Sequence, residues 1–130
     1  MSNKIYIGPS KIMKAGRGVF AAADIRKNEV IEICPVIIIA RKDGGHLSET
    51  ILQHYIFDYT HGRSLMALGY GSLYNHNVTP NAKYEILENH TNPGLSGELY
   101  ITAIRRILKG EEIYINYGAY YDEKYKMEDK

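Results

Sequence analysis

Three short segments carry the residue types whose chemistry and order stand out in this chain. Asn75-His76 lies within Gly69–Ala82, at the exit of a strand into a turn rich in Asn, Thr and Pro. Tyr117 ends the alternating run Gly110-Glu111-Glu112-Ile113-Tyr114-Ile115-Asn116-Tyr117-Gly118. Gly16-Arg17-Gly18 precedes Val19-Phe20-Ala21 near the start. An asparagine amide and a tyrosine hydroxyl each both donate and accept hydrogen bonds. A Gly-X-Gly loop lets the backbone approach a ligand closely. No Lys-Ser/Thr follows Gly18, so this is not a phosphate-binding loop. Each segment also has a plain structural reading: Asn75 as a turn residue, His76 as a satisfied structural histidine, Gly16–Gly18 as an ordinary turn. Tyr117 would then be a core residue on the face of Ile113 and Ile115.

The elements that must position these residues read mostly as short strands broken by Gly, Pro and Asn. Residues 4–7 form a brief strand stopped at Gly8-Pro9. Glu29–Ile33 alternates as a strand, Pro35 marks a break or an edge position, and the β-branched run Val36–Ile39 looks buried. Ser48 is a candidate N-cap for the one expected helix, because Ile51, Leu52, Tyr55, Ile56 and Tyr59 follow at helical spacing. Ser64–Leu68, Ala82–Leu87, Glu98–Ile104 and Glu111–Tyr117 complete the strands. Residues 120–130 are rich in charge and tyrosine and read as a short helix or a frayed tail. No internal repeat, linker or low-complexity segment is evident. Many short strands and one helix predict an α+β, mostly β fold.

Composition narrows the function classes. A chain of 130 residues is one domain, long enough to bury a core. Sixteen basic and fifteen acidic residues leave a net charge of +1, so no global field draws it to nucleic acid. A single cysteine, Cys34, excludes an intrachain disulfide and a cysteine-based zinc site. His54 and His61 lie seven apart, but no histidine spacing fits a tight zinc pattern, and no metal is expected. The longest apolar run, residues 36–40, is too short to span a membrane. The first residues lack the apolar stretch of a signal peptide, which points to a soluble, intracellular protein. Twelve tyrosines against no tryptophan is an unusual balance.

The Gly16–Gly18 loop, the Asn75-His76 pair and the strand-end Tyr117, in that order, resemble the SET-domain protein lysine methyltransferases. The resemblance covers residues 5–121, leaving 122–130 as a tail, so residues 1–130 form a single SET domain. It implies the β-clip fold, with a C-terminal pseudoknot in which the last segment threads beneath the Asn-His loop. The compact form, with the Gln53-His54-Tyr55-Ile56-Phe57 segment and Met66-Ala67-Leu68-Gly69 ahead of the Asn-His pair, looks most like the minimal viral and bacterial SET proteins of the chlorella-virus type. Those resemble dimeric histone methyltransferases. The resemblance therefore implies a homodimer and a histone-tail substrate. Val36–Ile39 are available for the dimer interface, and the host nucleus is the site of action if the target is a histone.

The implied chemistry is methyl transfer from S-adenosylmethionine to a lysine amine, with S-adenosylhomocysteine as product. Such an in-line displacement needs positioning and a neutral amine, which an apolar channel favours. It does not call for a metal. Tyrosine rings and hydroxyls suit such a channel. By resemblance Tyr117 is the catalytic residue. Ala15, Gly16, Arg17, Tyr55, Asn75 and His76 bind the cofactor, His76 largely through its backbone. Tyr55, Tyr70, Ile115, Tyr117 and Tyr121 line the substrate channel. Two positions depart from the family pattern. Asn77 stands where a small residue is usual after the Asn-His pair. Ile115 stands where Phe or Tyr is common, leaving more room beside the amine. A different target protein, or a non-catalytic peptide-binding module, are the competing readings.

Overall fold

The computed structural model describes residues 3–89 and 96–116. In chain order the strands are β1 (Ile5–Pro9), β2 (Arg17–Ala21), β3 (Val30–Ile39), β4 (Ile56–Asp58), β5 (Ser64–Ala67), β6 (Asn75–His76), β7 (Ala82–Glu88), β8 (Ser96–Ala103) and β9 (Glu112–Ile115). One α-helix, α1 (Arg41–Leu47), and 3-10 turns at Ile51–Tyr55, Thr60–Gly62 and Gly71–Leu73 fill the connections. One sheet has the order β1-β2-β9-β6 and the other β4-β5-β3-β8-β7. Strand β6 runs parallel to β9, with Asn75 beside Tyr114 and His76 beside Ile115. This is the α+β, mostly β architecture expected. The core between the sheets is built from Val19, Ala21, Ile25, Ile31, Leu65, Leu99, Ile101, Ile107, Ile113 and Ile115.

Three expectations change. The first strand does not stop at Gly8-Pro9, because Gly8 pairs with Gly18 and Pro9 with Arg17. Pro35 does not break β3, which is continuous from Val30 to Ile39. The Pro35 carbonyl accepts from the Leu68 N–H at 2.8 Å. A strand residue's nitrogen and carbonyl face the same side, and on that side β5 has already ended at Ala67, so the proline costs no ladder bond. The run Val36–Ile39 is paired along its length with β5, and Val36 and Ile37 with β8 as well, so its edge toward β5 is closed. It also alternates, since Val36 and Ile38 are buried while Ile37 is 49% exposed.

The helix lies before its expected position. Ser48 closes α1, with its N–H on the Gly44 carbonyl at 3.1 Å and its hydroxyl on that of Gly45 at 2.8 Å. Thr50 then starts a separate 3-10 turn by accepting from the Leu52 N–H. The helical spacing fails because Ile56–Asp58 pairs with β5, and Phe57 is buried against Tyr84 with ring centroids 5.1 Å apart. Strand pairing overrides local pattern here, and Ile51 is left 71% exposed.

No repeat is expected from the sequence, yet the structure contains one. Residues 19–33 and 101–115 share Ala21/Ala103, Ile25/Ile107, Lys27/Lys109, Glu29/Glu111, Ile31/Ile113 and Ile33/Ile115. Each runs strand, turn, strand. Ile25 and Ile107 exchange backbone bonds of 2.7 and 2.9 Å. Ala21 N–H reaches the Glu111 carbonyl, and Ala103 N–H that of Glu29, both at 2.9 Å. Asn28 and Gly110 occupy matching turn positions with φ of 71° and 90°. The two segments therefore pair with each other about an approximate two-fold centred on Ile25 and Ile107.

Candidate functional site

A cavity of about 370 Å³ is lined by Ala15, Gly16, Arg17, His54, Tyr55, Ser72, Leu73, Tyr74 and Asn75. Three segments distant in sequence supply its walls. The first is the loop between β1 and β2, closed by Ser10 N–H on the Gly16 carbonyl at 2.9 Å. Its tight path needs positive φ at Lys14 (69°) and Gly16 (77°). At Gly16 the side-chain position is open space, so the backbone itself faces the cavity. The second wall is the 3-10 turn ending at Tyr55. The third is the turn Gly71–Leu73 running into β6.

Asn75 fastens the first wall to the third. Its Nδ2 donates to Arg17 O at 2.9 Å, Glu112 Oε2 at 3.0 Å and Ser10 Oγ at 3.1 Å. Two of these, the carbonyl and the carboxylate, can only accept, so the nitrogen must point there and Oδ1 the other way. Glu112 is 3% exposed and also accepts from the Lys11 N–H at 2.8 Å, the Ser10 hydroxyl at 2.7 Å and the Tyr114 hydroxyl at 3.1 Å. Burial alone would push its carboxyl up. The bonds from Asn75, Lys11, Ser10 and Tyr114 outweigh burial and hold it below its ordinary value. Gly18 is required beside this group, because a Cβ there would strike the Glu112 carboxylate and the Asn75 amide.

A second buried carboxylate shapes the third wall. Glu32 accepts from the Tyr74 hydroxyl at 2.8 Å and the Tyr70 N–H at 3.0 Å. Burial first, then the Glu32 charge, raises the Tyr74 hydroxyl well above its usual value. Burial likewise pushes the Cys34 thiol up, so it is an inert core group. A larger cavity of about 480 Å³ adjoins, lined by Arg41, Gly44, Gly45, Ser48, Asp58, Gly62 and others, and it shares His54, Tyr55 and Ser72 with the first. Tyr55 thus stands on the wall common to both.

Ala15, Gly16, Arg17, Tyr55 and Asn75, expected from sequence to act together, all line the first cavity. His76 is half-buried beside Ile115 in the parallel pair. Ile115 is fully buried. Tyr70 packs against the core and lines neither of these cavities. Tyr117 and Tyr121 lie outside the described residues. Among the described residues no group of three or more His, Cys, Asp or Glu side chains gathers as a metal set. No helix among them is long and apolar enough to cross a membrane. Sequence reasoning missed Ser10, Glu32, Tyr74 and Glu112. For Glu32 a signal existed, since it is the one charge in the run Val30–Ile39.

Comparison with known proteins gives three findings. Residues 16–118 match the SET domain family. A histone-lysine N-methyltransferase of Schizosaccharomyces pombe, specific for lysine 37 of H3, is 35% identical over 106 residues, covering 81% of this chain and 68% of the yeast protein. A crystal structure of a candidate histone methyltransferase of Plasmodium falciparum superposes with a TM-score of 0.69 at 38% identity, over 92% of this chain and 96% of that one. The Chaetomium thermophilum Polycomb Repressive Complex 2 bound to S-adenosylmethionine superposes with a TM-score of 0.73, over 99% of this chain and 17% of that one. At 20% identity that last likeness is one of fold.

Proposed function

The chain belongs to the SET-domain family and is a protein-lysine methyltransferase dependent on S-adenosylmethionine, and we propose that it modifies a histone tail and that the cavity beneath Asn75 holds the cofactor. The observation that carries the site assignment is the meeting of Ala15, Gly16, Arg17, Tyr55 and Asn75 around one cavity of about 370 Å³. That volume lies in the range of small-molecule sites. Its mixed lining, of open backbone at Gly16, an amide at Asn75 and aromatic rings at Tyr55 and Tyr74, suits a ligand with amino-acid and adenine parts. S-adenosylmethionine, when bound, supplies a methyl group on a positively charged sulfur.

The chain's residues do the rest. Backbone groups at Ala15–Arg17 and His76 contact the cofactor's polar edges, and Asn75 Oδ1 accepts from its amine. Tyr55, Tyr70, Ile115, Tyr117 and Tyr121 form the channel for the lysine. Low polarity there disfavours the ammonium form, whose pKa in water is about 10.4. The Tyr117 hydroxyl orients the neutral amine, and the channel walls exclude water. The histone assignment rests on the activities that the yeast and Plasmodium relatives are described by, and action in the nucleus follows from it. A homodimer remains a proposal; the edge of Val36–Ile39 toward β5 is already paired, and Ile37, 49% exposed, is the residue of that run that presents a face to a partner.

Labelled methyl incorporation into purified histones and into cell lysate tests this. We expect label in a histone band. Label in another protein alone would replace the histone with a different target. No label with any protein would favour a non-catalytic binding module. A folded Tyr117→Phe protein should lose on the order of 10²–10³ in kcat with little change in peptide affinity, whereas a packing role would leave turnover within a few-fold.

A further inference from the structure

We propose that Glu112 is a positioning residue for the cofactor cavity: its carboxylate sets the distance between the β1–β2 loop and Asn75. The proposal rests on the cofactor assignment above. Glu112 itself is not in the cavity lining; it stands behind it. Its Oε1 accepts from Lys11 N–H and Tyr114 Oη, and its Oε2 from Ser10 Oγ and Asn75 Nδ2. Four donors from residues 10, 11, 75 and 114 use the four acceptor sites of one carboxylate.

The acceptors cannot be exchanged for a mixed group. In Glu112→Gln one oxygen becomes an NH2. Turned toward Ser10 and Asn75, it meets the Asn75 amide hydrogens, already directed there by the Arg17 carbonyl. Turned toward Lys11 and Tyr114, it meets the Lys11 N–H, fixed by the backbone. The hydroxyls of Ser10 and Tyr114 can rotate, but neither orientation avoids a clash of fixed donors. The substitution keeps volume and removes only the all-acceptor character. Asn75 then loses its orientation, and the loop carrying Ala15–Arg17 loses its anchor at Ser10 and Lys11. The equivalent position in the internal repeat is Val30, which is 41% exposed, so the fold of this segment does not itself demand a carboxylate.

The test is binding of S-adenosylhomocysteine, read by calorimetry, with thermal melts on the same samples. We expect Glu112→Gln to fold and to bind weaker by on the order of tenfold or more. Ile101→Val, a core change at a residue that makes none of the side-chain bonds of the clamp, serves as a stability control and should keep wild-type affinity. Ser10→Ala, which removes the hydroxyl linking Glu112 and Asn75, should weaken binding by a smaller factor and covers the case in which Glu112→Gln does not fold. Glu112→Gln or Ser10→Ala proteins binding as well as Ile101→Val would overturn the proposal. Failure of the wild-type protein to bind would instead overturn the cofactor assignment, and the proposal with it.

Discussion

Residues 19–33 and 101–115 fold alike, yet they set their buried carboxylates at different positions, Glu32 in the first and Glu112 in the second, and only Glu112 joins two walls of the cavity. Both bury an isoleucine at the two-fold, Ile25 and Ile107, and both cap their turn with a glutamate. Glu29 Oε1 accepts from Arg26 N–H at 3.1 Å, and Glu111 Oε1 from Leu108 N–H at 2.8 Å. One residue further on they part. Val30 faces solvent, whereas Glu112 is buried and fully bonded. Two residues beyond that, Glu32 braces the Tyr70–Tyr74 turn from one copy, and Tyr114 bonds Glu112 from the other. Positions held in common build the frame, and positions that differ carry the site. A near-symmetric scaffold is thereby made asymmetric where a ligand must be held.

The largest expected effect tests the frame. Ile25→Ala and Ile107→Ala each delete a fully buried side chain and should cost about 2–5 kcal/mol apiece. Urea unfolding of the two variants should give similar losses. A loss at one position alone would break the equivalence of the copies.

Next comes the paired turn. Gly110→Ala places a Cβ in open space but on a backbone with φ of 90°, so it should cost about 1–2 kcal/mol through strain alone. Asn28→Gly, at the matching position with φ of 71°, relieves the milder strain that an asparagine bears there while freeing the unfolded chain, and should change stability by a few tenths. Thermal melts of both variants check this, and equal effects would show that the turns differ in more than residue type.

A smaller difference should be visible in acid. The Glu112 carboxyl is held below its ordinary value, so its contribution is present above the unfolded value of about 4.3 and is lost as pH falls through the lower folded value. Val30 carries no titratable group. Stability of the wild-type protein, followed by denaturant unfolding below about pH 5, should therefore fall more steeply than that of Glu112→Gln. Parallel curves would mean that folding leaves the proton affinity of this carboxyl unchanged.

How much of this was legible follows the range of the forces involved. The resemblance named Ala15–Arg17, Tyr55 and Asn75 from short local segments, and the fold brings these residues to one cavity. Strands β1, β3, β5, β7, β8 and β9 were readable, apart from their ends, from alternation and turn residues. The segment after Ser48 was not, because its apolar spacing fits a helix while β5 offers it a sheet edge, and only the folded chain decides between them. Glu112 was hidden for a related reason. Beside Glu111 it looks like a solvated pair after a turn, and its burial depends on donors up to 102 residues away. The repeat was hidden because its shared residues are mostly core isoleucines and alanines, common in any strand.

The most direct test of the account is calorimetric titration of S-adenosylhomocysteine into the wild-type protein and Asn75→Ala, with melts to confirm folding. Asn75 is the one side chain that both lines the cavity and joins its walls. Its loss should weaken binding by about 1–3 kcal/mol, roughly 5- to 150-fold. A folded Asn75→Ala protein with wild-type affinity would contradict the placement of the cofactor in this cavity.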